Sequence, residues 1–509
     1  MIDALVAISL ANLFFLSVWV PCLYVSFKGY FNKVAVTWVT LTGLLANFLG
    51  FAFVAWLAMR LARRFQNRRW IIVFNLLFLA VLLVPVDFCR SRLRVTDTQI
   101  VALLTKPLGA VCGVALLIVI VWQHRHVTRA AAVVVAILFP LALFTFVKTA
   151  VQFVAARHES PDSDKPAFAS LKPVSPDQPR IVWLLFDETD QRLAFDERPA
   201  GVALPELDRF RRESLVATNA FPPGDATLIS VPSLISGRVL SEVSIQNASN
   251  LKLTLADNGT KASWTELPSV FSLASSLGFN TAVVGWYHPY FRLFGHELNY
   301  CTWHPWHPAM FYEPGKDTSF CACVENQLGC VTGSFYMRRL YVDLCRDILP
   351  EALEVVTNNN YGLVFLHLPP PHKPGIYLPA QHKLTMFGMS KVRGYFNNLA
   401  LADDWFGALR SAMDHAGVWD KTWVILSSDH SWRESMAYDG HRDLRVPFII
   451  KAPFGGPCAV YSQRINTVIT AQLISSILHG QINDLKQVAS WLDAQKPSRM
   501  AQSLPGGQE

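Results

Sequence analysis

The sequence has few charged residues for its length. Asp, Glu, Lys and Arg make up 16% of its 509 residues, whereas hydrophobic residues make up 51%. This composition excludes an intrinsically disordered chain and a disulfide-rich miniprotein, and it argues against a fully soluble protein. Most of the apolar excess lies before residue 156, and most of the acidic residues come afterwards. The chain therefore divides into an apolar first part and a more polar second part.

The positive charge of the chain is not evidence of nucleic-acid binding. Much of the formal net charge of +7 comes from short arginine clusters between apolar runs. In a membrane protein such clusters report topology. We therefore predict no nucleic-acid partner.

The N-terminus also lacks the features of a removable signal peptide. The first apolar run follows Met1-Ile2-Asp3 directly, without a positively charged segment before it or a small-residue cleavage site after it. We therefore interpret this run as a retained helix.

Five apolar stretches approach or exceed the length needed to cross a bilayer core of about 30 Å, which is about 20 helical residues. The third and fourth would be read as buried helices of a soluble protein if they occurred alone. Five in succession with basic connectors instead predict a polytopic membrane domain. The stretches are residues 4–27, 35–59, 70–87, 107–123 and 130–154.

Basic residues in the connectors predict the orientation of this domain. The densest cluster should be cytoplasmic, with Arg125 and Arg129 on the same side, and five spans then place the chain after residue 155 outside the cytoplasm. Basic residues in the opposite connectors weigh against this orientation. The cluster consists of Arg60, Arg63, Arg64, Arg68 and Arg69, and the opposing residues are Lys28, Lys33, Arg90, Arg92, Arg94 and Lys106.

The cysteines offer a second indication of compartment. Six of the nine lie in the later part of the chain, five of them between residues 301 and 345. An even, crowded set favours disulfides in an oxidising compartment over a zinc knot built on Cys321, Cys323 and Cys330, whose spacing fits the usual CxxC pairs poorly. The six are Cys301, Cys321, Cys323, Cys330, Cys345 and Cys458.

A proline-rich stretch separates the two parts of the chain. It reads as an extended spacer, and after it short apolar runs alternate with longer amphipathic stretches. This alternation predicts an α/β domain with a largely parallel central sheet. The predicted strands are Ile181–Phe186, Thr281–Val284, Leu363–Leu366, Trp423–Leu426 and Pro447–Ile450. The predicted domains are a five-helix membrane domain at 1–156, the linker at 157–180, the α/β domain at 181–490 and a polar tail at 491–509.

Polar side chains follow four of the predicted strands, where α/β folds bind their ligands. Each has a structural interpretation, since acidic pairs often cap helices and most histidines are structural. Together they predict a divalent metal centre, because Asp, Glu and His are the usual ligands of such metals. The residues are Asp187, Glu188 and Thr189 after the first strand, Gly285 to His288 after the second, His367 and His372 after the third, and Ser428, Asp429, His430 and later His441 after the fourth.

Thr227 is the predicted nucleophile. It precedes Pro232, which suits the first turn of a helix, so Thr227 should lie just before a helix N-terminus, where backbone N–H groups favour an anion. A hydroxyl bound to a metal there loses its proton more easily. The structural alternative is that Thr227 only caps the helix.

With these residues assembled, the second domain resembles the alkaline phosphatase and sulfatase superfamily. The order of motifs agrees over residues 180–480: Asp187-Glu188-Thr189, Thr227 to Gly237-Arg238, Val284-Gly285 to His288, and Ser428-Asp429-His430 with His441. Thr227 takes the position of the Cys or Ser that matures to formylglycine in sulfatases. Trp286 stands where sulfatases carry a sulfate-contacting lysine. Threonine cannot become formylglycine, which argues against an ordinary sulfatase mechanism.

A closer likeness is to the membrane-anchored transferases that include lipid A phosphoethanolamine transferases, with lipoteichoic acid synthases as more distant relatives. Those enzymes use a threonine nucleophile, five membrane helices and an extracytoplasmic catalytic domain. Two departures are that Pro223 and Ser233 replace the cysteines bracketing their nucleophile, and that Asp187 replaces a glycine. The matching runs are Thr227-Leu-Ile-Ser230-Val231-Pro232, Glu188-Thr189, His367 to His372-Lys-Pro374, and Ser428-Asp429-His430.

The resemblance implies a multi-pass protein of the bacterial inner membrane whose catalytic domain is periplasmic. It implies transfer of a phospholipid head group through a covalent phosphothreonine to an envelope glycolipid or glycan acceptor. The alternatives are a sulfatase-like hydrolase of sulfate or phosphodiester esters and a non-enzymatic scaffold. The expected metal is zinc, with manganese or calcium as alternatives. The expected metal ligands are Glu188, Asp187, Thr227, Asp429 and His430, and the expected catalytic residues are Thr227, His372, His441 and His288.

Overall fold

The computed structural model describes residues 2–23, 30–31, 38–93, 95, 97–158, 168–175, 177–305, 319–331, 334–456 and 458–495. These residues form two compact units. The helical unit comprises residues 1–26, 34–162 and 309–336, and the α/β unit comprises residues 27–33, 163–308 and 337–509. Each unit thus includes one short segment that is distant in sequence from the rest of it.

The helical unit is built from apolar helices. The helix α6 (Pro107–Trp122) has no buried residue, and side chains such as Leu117 and Ile118 are more than half exposed. Apolar side chains all around a helix suit a lipid environment. The first eight helices are α1 (Ile2–Phe14), α2 (Leu16–Leu23), α3 (Trp38–Ala62), α4 (Arg68–Arg92), α5 (Asp97–Leu104), α6 (Pro107–Trp122), α7 (His124–Ile137) and α8 (Phe139–His158).

Three helical stretches are long and apolar enough to cross a membrane: Leu41–Ala62, Arg68–Arg90 and His124–Val151. They overlap the second, third and fifth predicted spans. The fourth predicted span corresponds to α6, which has only 16 residues. The first is divided between α1 and α2, and its end lies outside the described residues.

The start of α7 corrects one detail of the predicted topology. Arg125 and Arg129 lie inside this helix and not in a connector before it. The helix extends six residues earlier than the fifth predicted span because His124, Thr128 and Val135 are buried on one of its faces, with Asn75 Nδ2 2.7 Å from His124 Nδ1.

The α/β unit has a central sheet of eight strands in the order β14-β2-β13-β12-β1-β9-β7-β8. Its neighbouring strands pair in parallel except at β13, which is antiparallel to β12 and β2. The predicted α/β class and largely parallel sheet are therefore confirmed. The sheet strands are β1 (Arg180–Phe186), β2 (Leu215–Ala217), β7 (Thr281–Trp286), β8 (Tyr300–His304), β9 (Leu363–Leu368), β12 (Thr422–Ser427), β13 (Phe448–Lys451) and β14 (Ala459–Tyr461).

Helices and small sheets complete this unit. The remaining strands are β3 (Ala220–Phe221), β4 (Leu240–Asn247), β5 (Asn250–Leu255), β6 (Lys261–Ser263), β10 (Tyr377–Leu378), β11 (Lys383–Leu384) and β15 (Ile465–Asn466). The later helices are α9 (Pro205–Arg212), α10 (Thr227–Ser236), α11 (Val270–Ser276), α12 (Tyr290–Phe294), α13 (Phe320–Val331), α14 (Ser334–Thr357), α15 (Lys391–His415), α16 (Met436–Asp439), α17 (Thr470–Leu478) and α18 (Leu485–Asp493). Of these, α13 belongs to the helical unit, which also includes the first residues of α14.

Strand β1 explains why the apolar runs are continuous. Trp183 and Leu185 pack into the core on one face of the sheet, and Leu184 and Phe186 pack into the core on the other. A parallel strand covered on both faces has no solvent side, so every residue of β1 is buried. The five predicted strands are all confirmed, with β13 running antiparallel.

Residues 157–158 of the predicted linker end helix α8, whereas residues 168–175 are attached to the α/β unit. Ala169 N–H donates to the carbonyl of Leu298 at 2.8 Å, and Lys172 N–H donates to Asn280 Oδ1 at 2.8 Å. Residues 159–167 of the linker and 496–509 of the predicted tail lie outside the described residues.

The prediction of disulfides in the later half is wrong for three cysteines. Cys321, Cys345 and Cys458 are free thiols. Cys321 and Cys323 lie two residues apart on α13, where side chains point in different directions and cannot bridge each other. Cys345 lies on α14, where it is buried in the core of the α/β unit.

Candidate active site

Three predicted metal ligands meet at the carboxyl ends of two central strands. Asp187 follows β1, and Asp429 and His430 follow β12. The two strands pair in parallel, with Leu185 opposite Ser427, so their ends bring these side chains to one place. One ligand atom from each of the three lies within 4.8 Å of the others, and all three residues are fully buried.

Thr227 lies against this cluster. Its Oγ1 is 3.4 Å from Asp187 Oδ2 and 3.4 Å from His430 Nε2. Thr227 is the first residue of α10, and the carbonyl of Ala226 accepts the N–H groups of Ile229 and Ser230 at 2.9 Å. The hydroxyl thus sits at a helix N-terminus, as predicted, where the helix dipole favours an anion.

The position of Pro232 differs from the prediction. The helix begins at Thr227, so Pro232 is its sixth residue and lies beyond the first turn. The hydroxyl of Ser233 donates to the carbonyl of Ile229 at 2.7 Å. A hydroxyl bond to the carbonyl four residues earlier often bends a helix, and the proline removes one backbone donor, so both residues weaken the middle of α10.

The cluster has the chemistry that a divalent cation requires. Among the residues that the structure describes, Asp187 Oδ1 and Asp429 Oδ2 are buried oxygens without a hydrogen-bond partner. Two buried carboxylates with unsatisfied oxygens are costly, and a bound cation would offset that cost. Asp187, Asp429, His430 and the Thr227 hydroxyl therefore fit a metal ion.

His430 is oriented as metal-binding histidines usually are. Its Nδ1 donates to the carbonyl of Ser431 at 3.0 Å, which leaves Nε2 facing the carboxylates. Burial opposes both charges, but the attraction between Asp429 and His430 prevails. It holds the pKa of Asp429 below and that of His430 above its ordinary value.

Glu188 lies beside the cluster in a strained backbone conformation. Its φ of 64° is in the left-handed region, which is unfavourable for residues with a side chain. Its N–H donates to Asp429 Oδ1 at 3.3 Å, and its carbonyl accepts from the Tyr395 hydroxyl at 3.1 Å. Asp429 and Tyr395 thus hold the turn from both sides.

The Glu188 carboxylate forms an ion pair that the sequence did not predict. Arg433 Nε lies 3.1 Å from Glu188 Oε1. Burial disfavours the ionised carboxyl, but the charges of His372, His430 and Arg433 outweigh it and hold the pKa of Glu188 below its ordinary value. Only the position of Arg433, three residues after His430, could have indicated this contact.

His288 does not have the geometry expected of a residue that contacts an anion. Its Nε2 donates to the carbonyl of Thr227 at 3.2 Å, and its Nδ1 lies 2.8 Å from the hydroxyl of Tyr30. Burial lowers the pKa of His288 to about 3, so the ring is neutral. Because both nitrogens are bonded to protein, His288 positions the Thr227 backbone instead of contacting the substrate.

The other two predicted catalytic histidines lie in different environments. His372 is buried, with Nδ1 2.6 Å from the carbonyl of Lys373 and its ring centroid 5.1 Å from that of Trp286. His441 is exposed on the loop after α16, and its backbone carbonyl accepts from Arg192. The structure thus brings His372 near Glu188 but does not bring the His441 side chain into the buried cluster.

His367, one of the residues predicted to follow the third strand at the metal centre, also lies in the site. It is fully buried on β9 with Nε2 3.7 Å from Asp187 Oδ2 and Nδ1 2.8 Å from the Tyr290 hydroxyl. Gly285 permits this contact, since a Cβ atom there would lie 2.5 Å from the Tyr290 ring. The sequence signal for this placement is the position of His367 directly after the buried run Leu363–Leu366.

Comparison with known proteins identifies the family. The sulfatase family model matches residues 179–480, more than half of the chain. The chain belongs to the sulfatase family. It is therefore an enzyme of the sulfatase and alkaline phosphatase superfamily, whose members are hydrolases or transferases and generally depend on divalent metals. A search of curated proteins gives no significant match.

Several solved structures are similar to part of this chain at low sequence identity. A Bacteroides thetaiotaomicron protein from a glycosaminoglycan-metabolism locus is 14% identical over 65% of this chain and 79% of its own, with a TM-score of 0.42. The phosphonate monoester hydrolase of Agrobacterium radiobacter is 11% identical over 59% and 74%, with a TM-score of 0.37. The lipoteichoic acid synthase LtaP from Listeria monocytogenes is 12% identical over 59% and 72%, with a TM-score of 0.39.

Proposed function

We propose that this enzyme transfers a phosphoryl head group from a membrane phospholipid to an envelope glycolipid or glycan, as phosphoethanolamine transferases do. The observation that carries the proposal is the threonine hydroxyl at the metal cluster, 3.4 Å from both Asp187 and His430. Threonine at this position cannot become the formylglycine of ordinary sulfatases. It can serve as a direct nucleophile and keep the transferred group as a covalent ester.

The reaction has two balanced steps. Thr227 Oγ1 gives up its proton and forms a bond to phosphorus, while the bond from phosphorus to the lipid alcohol oxygen breaks and that oxygen takes up a proton. An acceptor hydroxyl then attacks the phosphothreonine, releasing the Thr227 oxygen, which regains a proton. His372, which lies near Glu188, is our candidate for the proton donor to the leaving alcohol.

A metal would be held by Asp187, Asp429, His430 and Thr227, with Glu188 as a further ligand. Zinc is the metal that we favour over manganese or calcium, because the set mixes imidazole with oxygen ligands. Its contribution when bound is to lower the pKa of the Thr227 hydroxyl and to offset charge on the phosphoryl oxygens. The helix N-terminus of α10 adds to that offset from the protein side.

Arg433 supplies a positive charge to the substrate anion. Glu188 is almost fully buried, whereas the Arg433 side chain is 40% exposed, so the guanidinium is accessible beside the cluster. A guanidinium pairs with two phosphoryl oxygens at once and is therefore well suited to a phosphodiester. We assign Arg433 to binding of the non-bridging oxygens.

Replacing Arg433 with glutamine should lower kcat/KM by about 10- to 100-fold, because a charge-assisted pair with the anion is lost. Steady-state hydrolysis of a chromogenic phosphodiester measures this. Lys373→Gln is the matched control, since Lys373 pairs with Glu434 and is 58% exposed. Equal kcat/KM values for Arg433→Gln and the wild type would rule out the assigned role.

The helical unit fits a lipid donor. Its three helical stretches of membrane-spanning length keep the enzyme at a bilayer, where phospholipid head groups are concentrated. We further propose that all five predicted segments cross the inner membrane and that the catalytic unit is periplasmic, where an envelope acceptor is available.

A hydrolase of sulfate or phosphodiester esters is the second candidate. It is favoured by Asp187, which lies within the cluster at the position where the transferases carry glycine, so the acidic pair resembles the Asp-Asp of sulfatases. In that case water, and not an envelope acceptor, resolves the threonine ester.

The mass of the covalent adduct distinguishes the candidates. The full-length enzyme is incubated with vesicles that contain phosphatidylethanolamine, quenched, and digested, and the peptide with Thr227 is analysed by mass spectrometry. Added phosphoethanolamine on Thr227 supports the transferase. An alkyl- or aryl-phosphate adduct from a small phosphodiester, or a sulfate adduct from a small sulfate ester, with no adduct from lipid, supports the hydrolase. No adduct from any of these substrates contradicts the nucleophile.

A further inference from the structure

Two residues from the N-terminal part of the sequence lie in the α/β unit. Tyr30 and Phe31 come between α2 and α3 in the sequence, yet residues 27–33 belong to the α/β unit. Tyr30 is fully buried and Phe31 is 4% exposed, and both belong to the core on one face of the sheet. The Phe31 ring packs edge-on against Tyr287, with centroids 4.9 Å apart.

Tyr30 is the first member of a hydrogen-bonded chain that ends at the nucleophile. Its hydroxyl donates to His288 Nδ1 at 2.8 Å, and His288 Nε2 donates to the carbonyl of Thr227 at 3.2 Å. The second bond places the proton on Nε2, so Nδ1 must accept, and the tyrosine hydroxyl is the donor it requires. The chain thus fixes one tautomer and one ring orientation of His288.

The side chains around His288 leave the Tyr30 hydroxyl as the donor to His288 Nδ1. The imidazole is enclosed by aromatic rings, with Trp264 at 5.1 Å and Tyr290 at 6.0 Å between centroids. These rings fill space but do not donate a hydrogen bond to Nδ1. A phenylalanine at position 30 would occupy the same volume and leave Nδ1 buried without its donor, which is unfavourable.

We propose that Tyr30 is a positioning residue for the nucleophile, acting through His288 on the backbone of Thr227. Removal of its hydroxyl frees the imidazole to rotate and loosens the Thr227 carbonyl at the start of α10. The inference rests on the proposed role of Thr227 as nucleophile. It gives Tyr30, which lies between α2 and α3 in the sequence, a part in positioning the nucleophile.

A double-mutant cycle in the full-length enzyme tests this role. Tyr30→Phe, His288→Ala and the double variant are assayed on a chromogenic phosphodiester. Tyr30→Phe should lower kcat about 3- to 10-fold with KM within about twofold, which corresponds to the loss of one net hydrogen bond. The double variant should match His288→Ala, because Tyr30 acts only through that ring.

The matched control is Tyr461→Phe. Tyr461 is also buried in this unit, and its hydroxyl donates to Asp493 Oδ1 at 3.1 Å, on β14 at the far edge of the sheet. Each variant loses one tyrosine hydroxyl bond, which is fully buried for Tyr30 and partly buried for Tyr461, but only Tyr30→Phe should lose kcat. If Tyr30→Phe is less stable, kcat is measured per folded chain at a temperature at which both variants are fully folded.

Two results would overturn the proposal: a wild-type kcat in Tyr30→Phe, or effects of Tyr30→Phe and His288→Ala that add in the double variant. Failure of the transferase proposal is distinguishable from both. The wild type would then hydrolyse the chromogenic ester without transferring a lipid head group, and the cycle would still be measured on that ester.

Discussion

Replacing Thr227 with alanine is expected to lower kcat by at least about 1,000-fold and to abolish the covalent adduct, because the variant lacks the attacking oxygen. The hydroxyl lies 3.4 Å from Asp187 Oδ2 and 3.4 Å from His430 Nε2, so it contacts two of the proposed metal ligands directly. Turnover of a chromogenic phosphodiester and mass spectrometry of the peptide containing residue 227 measure the two effects. The substitution removes few atoms and should leave the melting temperature nearly unchanged.

Thr227→Ser is the control for this substitution. Serine keeps the hydroxyl and loses only the methyl group, so the variant should form an adduct and retain measurable turnover. An alanine variant with wild-type turnover, or an adduct found on another residue, would show that Thr227 is only the first residue of α10.

The sequence was sufficient to predict the centre of this site. Continuous apolar runs identified the buried parallel strands, and the ends of adjacent parallel strands share one edge of a sheet. Asp187 and Asp429 therefore meet as expected, and Thr227 lies beside them at the N-terminus of α10, although Pro232 is not in the first turn of that helix. These inferences depend on local periodicity and on one topological rule.

The contacts that depend on side-chain direction could not be predicted in this way. Glu188 and Asp187 are adjacent, but the left-handed backbone at Glu188 accompanies a pairing of its carboxylate with Arg433. His288 follows a strand as His430 does, yet its nitrogens bond to Tyr30 and to the Thr227 backbone. Strand position fixes where a residue lies, but not which of its neighbours it bonds to.

The helical part shows a different limit. Hydropathy located the apolar segments, but it could not show that a break at Phe15 separates α1 from α2 or that α6 spans only 16 residues. Helix ends depend on caps and packing that hydropathy does not record. The contacts of Tyr30 and Phe31 were likewise hidden, because His288 and Tyr287 lie more than 250 residues away in the sequence.

Replacing Asp429 with asparagine is expected to remove most of the bound metal and to lower kcat/KM by at least about 100-fold. Its Oδ1 accepts the N–H groups of Glu188 and His430, whereas its buried Oδ2 lacks a hydrogen-bond partner among the described residues and lies 3.5 Å from His430 Nε2. Asparagine keeps the shape but has no negative charge for a cation. Metal content per chain, measured by inductively coupled plasma mass spectrometry on the purified protein, should be near one for the wild type.

Asp403→Asn separates loss of metal from loss of a buried carboxylate. Asp403 is 1% exposed and accepts the N–H groups of Leu207 at 2.7 Å and Glu206 at 3.3 Å, so it resembles Asp429 in burial and bonding. It lies on α15, however, where it caps the start of α9. It should keep the wild-type metal content even if its stability falls. Full metal occupancy in Asp429→Asn would refute the proposed centre, whereas metal loss in both variants would indicate that the substitutions act through folding. Metal loss in Asp429→Asn alone would support binding of the ion by the carboxylate beside Thr227.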